Sequence, residues 1–280
     1  MRNILLSILT LSTFSLRSNA QQKTPTLTLL WQTPQTLTTS ESVIYDAKQK
    51  VFYVSCINGT PVGAKDGDGF IAMLAEDGQI LEHKWITGLD APKGMAIVGN
   101  ELYVTDIDQV VVIAIPTATI VRKIPVVGAT FLNDAGSSKS GEVFVTDSDH
   151  NTLYKITDGK AVKVLEDAAL GRLNGVFIDK KGMLLVGSSS GDAMRYADGK
   201  LSKFSSGLGR TDGIEAYKKG YFASSWSGAL FYIDPAGNST KILDTEKDKL
   251  NTADIEVVSA KKMLLVPTFS GNSVLAYRIN

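Results

Sequence analysis

Two carboxylates and two carboxamides stand at matching places along this chain, and together they form an all-oxygen donor set. Glu41 opens Glu41-Ser-Val-Ile, Asn133 opens Asn133-Asp-Ala, Asn174 opens Asn174-Gly-Val-Phe and Asp212 opens Asp212-Gly-Ile-Glu. Lys93-Gly-Met-Ala and Ala253-Asp-Ile-Glu occupy two further equivalent positions without such a donor. Carboxylate and amide oxygens are hard ligands that suit calcium, magnesium or manganese. No His or Cys stands among them, which counts against zinc of the usual nitrogen or sulfur kind. Asn-Gly and Asp-Gly are also ordinary turn dipeptides. Turn chemistry, however, makes no demand on Glu41, so the positional match favours a shared site. The two histidines, His83 and His150, fall outside the aligned positions, and His150 reads as a turn residue.

The elements that position these groups are repeats. Gly141-Glu-Val-Phe-Val-Thr-Asp, Gly182-Met-Leu-Leu-Val-Gly-Ser and Gly220-Tyr-Phe-Ala-Ser-Ser-Trp each give a β-branched or aromatic run, a small polar turn and a second such run. Looser copies start at Val51, Glu101 and Met263. Four of the five steps between aligned positions lie close to the ~40–45-residue length of a propeller blade. The longer first step carries an insertion, the Gly- and Asp-rich stretch Asn58–Gly69. Asp77-Gly78, Asp158-Gly159, Asp198-Gly199 and Pro235-Ala-Gly-Asn mark tight hairpins between antiparallel strands. The expected fold is all-β: a six-bladed β-propeller in a single domain, 21–280. Its last blade has three strands of its own and is closed by the N-terminal segment Thr26–Gln32, which also removes a sheet edge. Equivalent positions of successive blades then converge on one mouth of the central channel.

Residues 1–20 read as a removable leader: Arg2, an apolar run from Ile4 to Leu16, and a small-residue cleavage signal at Ser18-Asn-Ala20. The run is too short and hydroxyl-rich for a spanning helix, so the expectation is an exported, periplasmic or secreted protein with no membrane insertion after cleavage. The chain balances 29 basic against 29 acidic residues, which excludes the basic face that nucleic acid requires. Cys56, the single cysteine, lies in an apolar run and reads as a buried small hydrophobe. Asp106 and Asp147, both in Val-Thr-Asp, read as hydrogen-bonding groups between blades. Asp254, one step off the aligned register, reads as a supporting acid behind the site.

Glu41, Asn133-Asp134, Asn174-Gly175 and Asp212-Gly213 stand in an order that resembles the regucalcin/gluconolactonase family of six-bladed propellers. The resemblance covers essentially all of 21–280. It implies a divalent cation on Glu41, Asn174 and Asp212: calcium first, with zinc, magnesium or manganese as alternatives. It further implies Asn133 as the residue that holds substrate or water, and Asp212 as general base. Two departures stand out: the family's Glu-Gly-Pro is Glu41-Ser-Val here, and the Arg that sugar-lactone members place two residues before the first Asn is Phe131. Phe131 removes a fork suited to a polyol or carboxylate and fits a more apolar ester or lactone. The expected function is metal-dependent hydrolysis of a lactone or small ester, with Phe131, Trp226 and Lys93 in the substrate pocket. The alternative is a non-catalytic exported propeller that binds a small ligand or a protein.

Overall fold

The structure is a computed structural model that describes residues 23–280; the expected leader lies outside the described residues. Its strands form six four-stranded antiparallel sheets. Five blades are sequential hairpins within residues 40–89, 92–125, 132–166, 173–205 and 211–244. The sixth consists of Glu256–Val258, Met263–Pro267 and Val274–Ile279, and its outer strand is Leu27–Gln32. That N-terminal strand pairs antiparallel with the last one, Leu27 opposite Ile279 and Gln32 opposite Leu275, so the ring closes as expected. The insertion in the first blade is slightly shorter than its sequence suggests, because Gly69 already belongs to the strand Gly69–Ala75.

Apolar layers between blades form the core. One joins Phe52, Val54 and Phe70 of the first blade to Leu265, Val274 and Ala276 of the sixth. Another joins Val110 and Val112 of the second to Leu132 and Val145 of the third. Alternation along each strand sends one set of side chains into each layer. Cys56 is fully buried in the first of these layers, and burial pushes its thiol up.

The innermost strands are Ser40–Asp46, Pro92–Val98, Leu132–Ser137, Leu173–Ile178 and Thr211–Tyr217, with the short Glu256–Val258 completing the ring. Glu41, Lys93, Asn133, Asn174 and Asp212 are each the second residue of such a strand. Side chains stitch one inner strand to the next: Thr105 Oγ1 donates to the Asn133 carbonyl at 2.6 Å, Ser148 Oγ to that of Leu173 at 2.5 Å, and Ser224 Oγ to that of Ala253 at 2.7 Å. The Asp254 amide donates to the Glu41 carbonyl at 2.9 Å. Asp106 and Asp147, expected to bond between blades, tie down the connections that lead from one blade into the next. Asp106 accepts from the Ala91 amide at 2.7 Å, and Asp147 accepts from the Phe131 amide at 3.2 Å. The carboxylates therefore fix the segments that deliver Lys93 and Phe131, and the hydroxyls add bonds from blade to blade.

The glycines of Asn174-Gly175 and Asp212-Gly213 are not turn residues. A Cβ on Gly175 would stand 2.0 Å from the Asp212 carbonyl oxygen, and one on Gly213 would stand 2.5 Å from Asp254 Oδ1. The inner strands pass too close for a side chain. Gly175→Ala should therefore cost about 1–3 kcal/mol of stability. A denaturant midpoint unchanged from wild type would show that the strands can separate freely and would refute this packing.

Candidate functional site

One end of the channel holds a cavity of about 170 Å³ lined by Glu41, Lys93, Asn133, Asn174 and Asp212, with Phe131 and Trp226 in its walls. The residues expected to bind metal, act on substrate or line the pocket thus face one space. Glu41 is 5% exposed, Asp212 2% and Lys93 2%.

The hydrogen bonds determine what this space can offer. Asn174 Nδ2 donates to Asp212 Oδ1 at 2.7 Å, and Asn133 Nδ2 donates to Ser148 Oγ at 3.1 Å. Each amide NH2 spends one of its two N–H donors this way, and each Asn carbonyl oxygen stays open to accept or to ligate. Glu41 Oε2 is buried without any hydrogen-bond partner. Burial, then the neighbouring Asp212, push the Glu41 carboxyl well above the ordinary range. Burial, then Asp254, push Asp212 up to about 8, against the pull of its Asn174 bond and of Arg210. Two desolvated acids and two amide oxygens thus share one cavity, and Glu41 Oε2 is the oxygen left without a donor. Among the described residues no group of three or more His, Cys, Asp or Glu side chains is placed to hold a metal. Any ion here must use amide oxygen alongside carboxylate. The unpartnered Glu41 oxygen and the all-acceptor donor set fit a hard divalent cation held by Glu41, Asn174 and Asp212.

Lys93 Nζ donates to the Ala91 carbonyl at 3.0 Å and lies 4.6 Å from the Phe131 ring centroid. Burial lowers its pKa, while Glu41 and Asp106 hold it up. Its electrostatic partner in the cavity is thus Glu41. Phe131 is not a plain apolar wall, because the Arg172 guanidinium covers it as well, at 5.5 Å. Trp226 carries Arg210 at 4.7 Å and meets Phe269 edge-on at 5.5 Å. Val62, from the first-blade insertion, also lines the cavity, so that loop reaches the mouth.

The sequence reading missed Arg172 and Arg210. Both line the cavity, and each stands two residues before an aligned donor, as Phe131 does before Asn133. That shared register was the signal available to find them. Asp254 stands behind the mouth, where, after burial, its charge pushes Asp212 and Glu41 up. It faces a second cavity of about 300 Å³ further along the channel, together with Asp134, Glu215 and Glu256. There Ser42 Oγ donates to Asp254 at 2.6 Å, and the Val176 amide donates to Asp134 at 2.6 Å.

No protein-family model matches this chain, and no curated protein matches it by sequence. Solved structures match its shape. A gluconolactonase from Xanthomonas campestris superposes with a TM-score of 0.67 at 17% identity, over 91% of this chain and 95% of that one. A catalytically inactive virginiamycin B lyase from Staphylococcus aureus, solved with quinupristin, gives a TM-score of 0.64 at 13% identity, over 91% of this chain and 99% of that one. A streptogramin B lyase gives 0.62 at 13% identity, over 87% of this chain and 94% of that one. At these identities the likeness carries the fold. The presence of a gluconolactonase among them fits the resemblance read from the motifs.

The inner acids have a thermodynamic consequence. Burial, then Asp254, push Glu256 up to about 8, and burial pushes Asp254 up to about 6. A carboxyl whose pKa is raised on folding contributes stability at acid pH and loses it as pH rises through the folded value. Chelator-treated protein should therefore have a higher melting temperature near pH 5 than near pH 8, and Glu256→Gln should flatten the decline. A melting temperature that rises over this interval would contradict the arrangement.

Proposed function

We propose that the chain is a hydrolase of a lactone or small ester, acting at the channel mouth with a divalent cation held by Glu41, Asn174 and Asp212. The observation that carries this reading is the buried, unpartnered Glu41 Oε2, which shares one cavity with the Asp212 carboxylate and the Asn133 and Asn174 side chains. A bound divalent cation supplies a Lewis acid for the substrate carbonyl and for the oxyanion that develops on it. The chain's own groups do the rest. Asn133, anchored by Ser148, orients the carbonyl compound or its attacking water. Asp212 takes the water proton as oxygen attacks the carbonyl carbon. The acyl carbon–oxygen bond then breaks, and the proton returns from Asp212 to the leaving alkoxide. The stacked walls of Phe131 and Trp226 narrow the mouth around a small substrate. Shared architecture with a gluconolactonase is consistent with such chemistry, although one fold hosts many activities.

One observation favours a second reading, a non-catalytic exported propeller that binds a small ligand. Lys93 already places an ammonium in the field of Glu41, so the cavity has a positive charge of its own. A panel of lactones and esters assayed with wild type and Asp212→Asn separates the two. The hydrolase reading expects turnover that falls at least about 10²-fold in the variant, the scale of a lost general base. Equal rates in both proteins would sink the mechanism, and a panel without turnover would favour the binding module.

A further inference from the structure

Two guanidinium groups crown the mouth, and the hydrolytic steps leave them unused. Phe131, Arg172 and Arg210 each stand two residues before the second residue of an inner strand, on the third, fourth and fifth blades. All three line the cavity. The fork absent at Phe131 therefore reappears at the same register on the next two blades. Arg172 makes a loose, exposed ion pair with Asp149, Nη1 to Oδ1 at 3.3 Å. Arg210 makes no ion pair or side-chain hydrogen bond among the described residues. Its guanidinium lies over Trp226 at 4.7 Å. Stacking fixes the plane of the group and leaves its N–H edge unspent, which is the geometry that grips a planar carboxylate. Lys93, Arg172 and Arg210 also outnumber Glu41 and Asp212 on the lining, and any bound cation adds to that excess.

We propose that the ligand of this cavity carries a carboxylate apart from its reacting carbonyl, and that Arg210, with Arg172 beside it, holds that carboxylate at the rim. For the reacting carbonyl, this rests on the hydrolase reading above. The carboxylate handle itself rests only on the arginines and their aromatic supports. The small cavity volume limits the ligand to a compact molecule, such as a short hydroxy diacid closed to its lactone. Such a substrate is the condensed form of a hydroxy dicarboxylic acid. The reaction that supplies it must form an internal ester, and the one that consumes the product must accept a dicarboxylate.

The test compares γ-carboxy-γ-butyrolactone with its neutral carboxamide, on wild type, Arg210→Gln and Arg172→Gln. Both arginines are exposed, so the variants should keep the fold. Calorimetric titration with glutarate on the same proteins reports binding without turnover. The expected result is a wild-type kcat/KM preference for the carboxylate of about tenfold, one charge-assisted contact. In Arg210→Gln the preference should collapse toward parity through KM, and in Arg172→Gln it should shrink less. Equal hydrolysis of the two lactones by all three proteins would overturn the carboxylate handle and leave the hydrolase reading standing. Glutarate binding that weakens about tenfold in Arg210→Gln, with neither lactone turned over, would support the handle and count against the hydrolase. No turnover, with glutarate bound equally by wild type and variant or not at all, would overturn the handle as well.

Discussion

Crowding of negative charge along one narrow lumen governs this molecule. Glu41, Asp134, Asp212, Glu215, Asp254 and Glu256 all face the channel, and burial pushes every one of them above the ordinary carboxylate range. The crowding follows from closure. Six inner strands meet around one axis, and at Gly175 and Gly213 they meet so closely that only glycine fits. Close packing strips water from Glu41, Asp134 and Asp212, and each of these acids must find a proton, a hydrogen-bond donor or a positive charge. The two ends of the lumen meet this demand differently. In the inner cavity, Asp134 accepts from the Val176 and Ala135 amides and Asp254 accepts from Ser42. At the mouth, Glu41 Oε2 finds no partner. That unpartnered oxygen is what the proposed cation at the mouth would satisfy.

The order of the fold was legible because a blade is a local unit. Hairpin turns such as Asp158-Gly159 and Asp198-Gly199 sit between the strands they were expected to join. The orphan segment before Glu41 found its place because an unpaired strand has few ways to satisfy its backbone. The donors at the blade starts were legible for the same reason: the repeat fixes their register, and the register fixes their direction. What escaped was whatever lies across the ring. Glu215 and Glu256 were written out in Asp212-Gly-Ile-Glu and Ala253-Asp-Ile-Glu, yet only the closed channel brings them together with Asp134 and Asp254. Asp106 and Asp147 were legible as structural acids at the joins between blades. A buried carboxylate serves the nearest unpaired amides, and those lie in the connections just before each inner strand.

Phe131 shows how a single residue changes meaning once its neighbours are known. Alone, it replaces an arginine and argues for an apolar pocket. In the structure it lies between the Lys93 ammonium and the Arg172 guanidinium, so its face serves as a platform for cations. Trp226 does the same for Arg210. The mouth is thus ringed by positive charge on aromatic supports, above two desolvated acids. The likeness to a gluconolactonase and to streptogramin-type lyases carries the propeller itself. This particular arrangement of charges belongs to the chain's own residues, and its chemistry has to be argued from them.

Metal stoichiometry tests the central claim most directly. The mature protein and Glu41→Gln would each be loaded with calcium or zinc and desalted, and their bound metal counted by mass spectrometry. The account predicts one equivalent retained by the wild type and lost in the variant. No retained metal in either protein, with a melting temperature indifferent to added cation, would contradict it and leave Glu41 and Asp212 as buried acids balanced by Lys93 and protons alone.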